Sequence, residues 1–305
     1  MAIGELRDFD DGPAETSWSS HVHRCSTCHA PQVSLCLPVH NGADAVVESL
    51  EHLSRLDYAG ILHVFCVANG CSDDTAERAR RLVPLFKDRG WELSVLELEK
   101  AGKSASLRLG EAAAPDGLFG AIDVNIRPAL DSLHHMVGAL SSGELSVVSA
   151  QQRYVESGSA VVRRFARAYR CAPFARSSDV KGTFLLFADR HRGAVKQMPN
   201  LGADDRYFAL TARRTERASI RAAAVDYYFP ATLGSLVRQQ IRWKRNNQVA
   251  DAAVQASDAP GHEGNRWPYF EPMPPLSSVA VYGAVTVVAT VVARLRPRDM
   301  PAWRR

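Results

Sequence analysis

Four short apolar runs recur between residues 33 and 122, each followed by a small polar turn and, in three cases, by a helical pattern. Val33–Leu37 is the first run, ended by Pro38; Ile61–Ala68, Trp91–Leu98 and Leu118–Ile122 are the others. Between them, Ala43–Leu56 carries Val46, Val47, Leu50 and Leu53 at helical spacing. Thr75–Val83 and Lys103–Ala113 read as two further helices, with Ser72 an expected cap before the first. Strands that alternate with helices pair in parallel, because each helix carries the chain back to the starting edge. The expected fold is α/β: a Rossmann-like, mostly parallel sheet flanked by helices. Ligands of such sheets bind beyond the carboxyl ends of the strands.

The residues at those ends are small and polar. They are Pro38-Val39-His40-Asn41-Gly42, then Asn69-Gly70-Cys71-Ser72-Asp73-Asp74-Thr75, then Ala101-Gly102-Lys103-Ser104, and finally Asp123-Val124-Asn125. Each alone is ordinary turn chemistry. All four on one edge point to a nucleotide pocket. Gly102-Lys103-Ser104 lacks the upstream glycine of a phosphate-binding P-loop, which argues against an ATPase.

Two later motifs carry charge. Asp204-Asp205 opens Ala203-Asp204-Asp205-Arg206-Tyr207-Phe208; its plain reading is a helix start with favourable dipole placement. Gln239-Gln240-Ile241-Arg242-Trp243 lies in Leu236–Asn246, a basic helix. Its plain reading is a surface helix with a half-buried tryptophan. The sharper one pairs a guanidinium fork for phosphate with a flat ring for sugar.

In this order the six motifs resemble the family-2 inverting glycosyltransferases with the GT-A fold, over residues 33–247. The family's Pro-x-x-Asn matches Pro38 and Asn41. Its acidic strand-two motif matches Ala68 to Thr75, and its Gly-Lys matches Gly102-Lys103. Its Asp-x-Asp matches Asp123-Val124-Asn125, its acidic pair Asp204-Asp205, and its Gln-x-x-Arg-Trp matches Gln239, Arg242 and Trp243. The resemblance implies a nucleotide-diphosphate sugar donor and a sugar, lipid-linked or small-molecule acceptor. Donor-binding residues would be Pro38, His40, Asn41, Asn69, Gly70, Asp73, Lys103, Asp123 and Arg242. Asp123 and Asn125 would hold Mg²⁺ or Mn²⁺, hard cations that take oxygen ligands. Asp205 would be the general base, with Asp204 as alternate. Gln239, Gln240 and Trp243 would face the acceptor. Two positions depart from the pattern. Ala68 replaces the carboxylate that touches uracil, which opens the choice of base, and Asn125 replaces a metal-binding aspartate. A catalytically weakened binding or scaffold protein on the same fold is the alternative they motivate.

The resemblance implies that residues 32–150 are the donor-binding half and 151–250 the acceptor-binding half. Residues 1–31 are expected to be a flexible tail, and 251–305 a linker, hydrophobic helix and basic tail. Gln151–Phe174 reads as a helix carrying Arg153, Arg163, Arg164, Arg167 and Arg170, and Lys181-Gly182-Thr183-Phe184 with the apolar Leu185–Ala188 resembles the family's acceptor-side strand. Cys25 and Cys28, with nearby histidines, admit a zinc site, a haem attachment or an unliganded tail. Net charge is only +4, and no basic run interleaves aromatics, which argues against nucleic acid. No export signal is expected, and scattered cysteines suit a reduced cytoplasm. Leu276–Ala293 is apolar for eighteen residues, the lower limit of a span. A basic tail follows it, so an interfacial helix on the inner face of the cell membrane, or one packed on the domain, fits better than a span. One hydrophobic helix cannot form a polymer channel, so a single sugar addition is expected.

Overall fold

The computed structural model describes residues 30–177, 179–255, 270 and 272–295. The cysteine-histidine segment near residue 25 and the basic tail beyond residue 295 lie outside the described residues.

A seven-stranded sheet runs through the molecule in the order β3-β2-β1-β4-β6-β5-β7. Its strands are β1 (Val33–Val39), β2 (Leu62–Asn69), β3 (Glu92–Leu98), β4 (Leu118–Ile122), β5 (Val147–Val155), β6 (Phe184–Phe187) and β7 (Arg217–Tyr228). Only β6 runs antiparallel to its neighbours, β4 and β5. The expected mostly parallel sheet is therefore present. The first-half helices are α1 (Ala43–Leu53), α2 (Thr75–Arg80), α3 (Val83–Lys87), α4 (Lys103–Ala113) and α5 (Ser132–Ser141). The second half adds α6 (Ala160–Cys171), α7 (Pro173–Arg176), α8 (Arg192–Lys196), α9 (Asp204–Thr211), α10 (Leu233–Gln255) and α11 (Leu276–Leu295).

Both faces of the sheet are buried, so its strands are apolar on both sides. Leu35, Leu37, Val64 and Leu186 pack with Leu50, Phe86, Leu133 and Met136 from α1, α3 and α5. Cys36, Val67, Leu185 and Phe187 pack oppositely with Leu107, Val195, Phe208 and Val254 from α4, α8, α9 and α10. A third, aromatic cluster joins Phe165, Tyr169 and Phe229 to Leu236 and Val285, tying α6, α10 and α11 together.

Local differences from the sequence reading have physical causes. β1 runs through Pro38 to Val39, because beyond Cys36 it pairs only with β2 and a missing N–H is tolerated there. The helix expected over Thr75–Val83 stops at Arg80 and restarts at Val83, since Pro84 cannot donate to the preceding turn. α1 ends at Leu53, three residues early. Ser72 does not cap α2; the carboxylate of Asp73 instead accepts from the Thr75 N–H at 3.2 Å. The helix expected across Gln151–Phe174 begins only at Ala160. Gln151 to Val155 are strand, paired with Ala224 to Tyr228. Arg153 therefore sits on β5, bonded to Asp226 at 2.8 Å, while Arg163, Arg164, Arg167 and Arg170 are on α6. The boundary expected at residue 150 falls inside β5.

Candidate active site

The four polar turns meet at one edge of the sheet, knitted by side chains to one another's backbones. Asn69 is wholly buried; its amide donates to the Val39 carbonyl at 2.7 Å and its oxygen accepts from the Gly102 N–H at 3.0 Å. One side chain thus fixes the ends of β1 and β2 against the start of α4. His40 Nδ1 lies 2.8 Å from the Asn69 carbonyl. Asn41, at φ +46°, accepts from the Ser72 N–H at 2.8 Å, and Asp73 Oδ2 accepts from the Ala43 N–H at 3.3 Å. Gly70 adopts φ +60°, and a Cβ there would lie 2.5 Å from the Ala101 nitrogen, so the turn requires glycine. Pro38 ends the rim at the close of β1.

A charged cluster occupies the centre of this edge. Lys103 Nζ, at the start of α4, lies 2.6 Å from Asp123 Oδ1 and 2.9 Å from Asp204 Oδ2. Burial opposes the ammonium charge, but the two carboxylates outweigh it and its pKa is raised. Asp123 sits just past β4, where the reversed β6 brings its own beginning alongside: the Asp123 N–H donates to the Thr183 carbonyl at 2.9 Å. Its carboxyl is pushed above the usual range by burial and Asp204, against the pull of Lys103 and Arg242.

Asp204 and Asp205 open α9, so the dipole placement expected for a helix start is present beside the cluster. Asp205 accepts from the Gly182 N–H at 3.4 Å. Burial first, then the neighbouring Asp204, push its pKa up to about 6, against the Arg206 and Gly182 N–H groups and Lys103. That is a useful value for a base near neutral pH. Gly182 leaves no room for a side chain: a Cβ would sit 2.0 Å from Asp205 Cβ.

α10 closes the other side. Arg242 is exposed and near enough to lower the pKa of both Asp123 and Tyr227. Gln239 donates to the Tyr227 hydroxyl at 3.0 Å. Gln239 Oε1 and Gln240 Nε2 are buried with no partner among the described residues. Trp243 is half-buried on the aromatic cluster, its ring centroid 6.1 Å from that of Tyr227. The structure thus brings Lys103, Asp123, Asp204, Asp205 and Arg242 together; Asn69 and Asp73 are bonded within the turns, and Asn125 is exposed.

As a metal centre the donors are few. Among the described residues no three His, Cys, Asp or Glu side chains gather as a ready metal cage. One carboxylate and one amide suit a hard cation that also binds substrate phosphates, not a site made wholly by protein.

Sequence reading missed Gln152 and Tyr227. Gln152 bonds to Thr183 Oγ1 at 3.3 Å; neither Gln152 nor Tyr227 lies in a motif, and the pairing of β5 with β7 alone brings the two here.

Residues 34–208 match the family model described as glycosyl transferase family 2. Among solved structures, the chain is similar to the mannosyltransferase PcManGT from Pyrobaculum calidifontis in complex with GDP-Man and Mn²⁺. The identity is 19%, the coverage 90% of this chain and 78% of that one, and the TM-score 0.60. It is also similar to TarS from S. aureus, at 12% identity over 74% of this chain and 42% of that one, with a TM-score of 0.50. These likenesses show a GT-A fold. No curated protein matches the chain by sequence.

Proposed function

Because the chain belongs to glycosyl transferase family 2, we propose that it moves a sugar, of hexose type, from a nucleotide-diphosphate donor to an acceptor hydroxyl. The acceptor is a sugar, a lipid-linked molecule or another small molecule, and one residue is added per acceptor. The observation that carries this reading is Asp205: a carboxylate with its pKa near 6, beside the Asp123–Lys103–Asp204 cluster at the carboxyl edge of the sheet.

The roles follow from charge. The diphosphate lies against the turns after β1 and β2, lined by Pro38, His40, Asn41, Asn69, Gly70 and Asp73, with Lys103 and Arg242 facing its negative charge. A Mg²⁺ or Mn²⁺ ion held by Asp123, with Asn125 supplying a neutral oxygen, would neutralise the charge that develops on the leaving diphosphate. The Mn²⁺ named with the mannosyltransferase neighbour supports this choice. Asp205 takes the proton of the acceptor hydroxyl as that oxygen attacks the anomeric carbon from the face opposite the diphosphate. A single displacement inverts the anomeric centre. Gln239, Gln240 and Trp243 border the acceptor beside the aromatic cluster.

Ala68 is buried and offers no carboxylate to a base, so guanine and uracil donors are both candidates. We place the chain in the cytoplasm, with α11 against the inner face of the membrane. Its outer stripe of Val287, Val288, Val291 and Leu295 is exposed and apolar, which supports that placement. A screen of GDP- and UDP-sugars with Mg²⁺ or Mn²⁺ tests the proposal. Nucleotide release from one donor class, with an inverted product by NMR, is expected; tight nucleotide binding without turnover of any donor points to the scaffold reading motivated by Ala68 and Asn125.

A further inference from the structure

A cavity of about 550 Å³ at the end of β5 is lined by Gln151, Gln152, Arg153, Tyr154, Arg170 and Arg221, with Cys171, Ala175 and Pro272 as its apolar part. β5 and β7 run parallel toward the edge that carries the site. Their register breaks between Ala150 and Gln151: Ala150 faces Ile220, but Gln151 faces Ala224. Residues 221–223 are thus inserted in β7. Such bulges bend a strand and redirect side chains, often beside active sites. Here the insertion sets Arg221 on the cavity wall.

The cavity is connected to the reacting centre. Gln152 accepts from the Tyr154 hydroxyl at 2.7 Å and donates to Thr183 Oγ1 at 3.3 Å. Thr183 follows Gly182, whose N–H reaches Asp205. The cavity wall is also net positive. Arg153 pairs with Asp226, and Arg167 and Arg170 share Glu156 at 2.7 and 2.9 Å. Arg221 has no carboxylate partner among the described residues. Of the three arginines on the wall, Arg153 and Arg170 are each paired with a carboxylate and Arg221 is not.

We infer that this cavity is an anion subsite of the acceptor site: the acceptor carries a phosphate or carboxylate that Arg221, with Arg170 and Arg153, holds while its hydroxyl faces Asp205. Guanidinium forks match the oxygens of such groups in pairs, which fixes orientation as well as affinity. The inference rests on the transferase reading of the acidic pair.

The test separates the two. With the donor site saturated by GDP or UDP and Mn²⁺, phenyl phosphate is titrated by NMR, with phenol as its neutral counterpart. The expected result is that phenyl phosphate binds beside the nucleotide and phenol does not. Arg221→Glu should weaken phenyl phosphate about tenfold or more, and Arg221→Gln by less, with nucleotide affinity unchanged. Displacement of the nucleotide by phenyl phosphate, or equal binding to Arg221→Glu, overturns the inference and leaves the transferase reading intact. If no nucleotide binds, the transferase reading fails separately, while the Arg221 variants still report on the subsite. A vesicle arm identifies the anion's source. Loss of phosphatidylglycerol vesicle binding in Arg221→Glu assigns a lipid headgroup; loss of phenyl phosphate binding alone assigns a soluble acceptor; both outcomes support the subsite.

Discussion

Asp204 and Asp205 adjoin in the chain yet meet different partners. Asp204 is buried against the Lys103 ammonium, whereas Asp205 accepts from the Gly182 N–H. In its proposed role as general base Asp205 acts in its deprotonated form, so a pKa raised to about 6 would set the acidic limb of activity. Turnover should rise as pH passes through about 6 and level off above 7, measured as kcat/KM from pH 4.5 to 8. Lys103→Met leaves Asp123 and Asp204 facing each other without the ammonium that pairs with both. Asp123 keeps 37% of its side chain open to water, so the loss should be on the order of 2–3 kcal/mol in denaturant unfolding, below that of a sealed pair. Gly182→Ala drives a methyl into Asp205; kcat should fall about a hundredfold with nucleotide affinity kept. Asp123 was legible in sequence because it stands at a predictable strand end, and Asp204, Asp205 and Arg242 because each stands in a short motif on a helix. Gln152 and Tyr227 were not, because only the pairing of two distant strands brings them to the site.

At the scale of elements, the reversal of β6 matters most. It sets Thr183 against Asp123 and so joins the two halves of the site across one hydrogen bond. The first four strands and α4 were legible because hydrophobic period is local information. β5 and β7 were hidden, since arginines spaced along 153–170 mimic an exposed helix and the paired strands lie about 70 residues apart. α4 owes its position to two anchors, Asn69 at its start and a sealed ion pair near its end. There Arg192 NH2 lies 2.8 Å from Glu111 Oε1, and the two side chains are 5% and 1% exposed. Arg192→Met leaves the buried Glu111 charge only the 3.6 Å contact of the exposed Lys196, and should destabilise the chain by about 3 kcal/mol, read from chemical unfolding.

Across the whole molecule, the sheet is covered on both faces, but α11 is covered on one side only. Among the described residues it is the one helix long and apolar enough to cross a membrane. Ser278, Val285, Ala289 and Ala293 face inward, and Val287, Val288 and Val291 face out, so length and composition could not separate packing from membrane contact. If the outer stripe lies on lipid, Val288→Glu with Val291→Glu should abolish co-sedimentation with phosphatidylglycerol vesicles and leave donor turnover unchanged. The proposed transfer chemistry sits at the polar edge of the sheet. Nucleotide release by the wild-type chain and by Asp205→Asn, side by side over GDP- and UDP-sugars with Mn²⁺, addresses it most directly. Release from at least one donor by the wild type is expected, with a roughly 10²- to 10⁴-fold lower rate in Asp205→Asn and equal nucleotide affinity in both. Equal rates in the two proteins, or no release by the wild type from any donor, would contradict it.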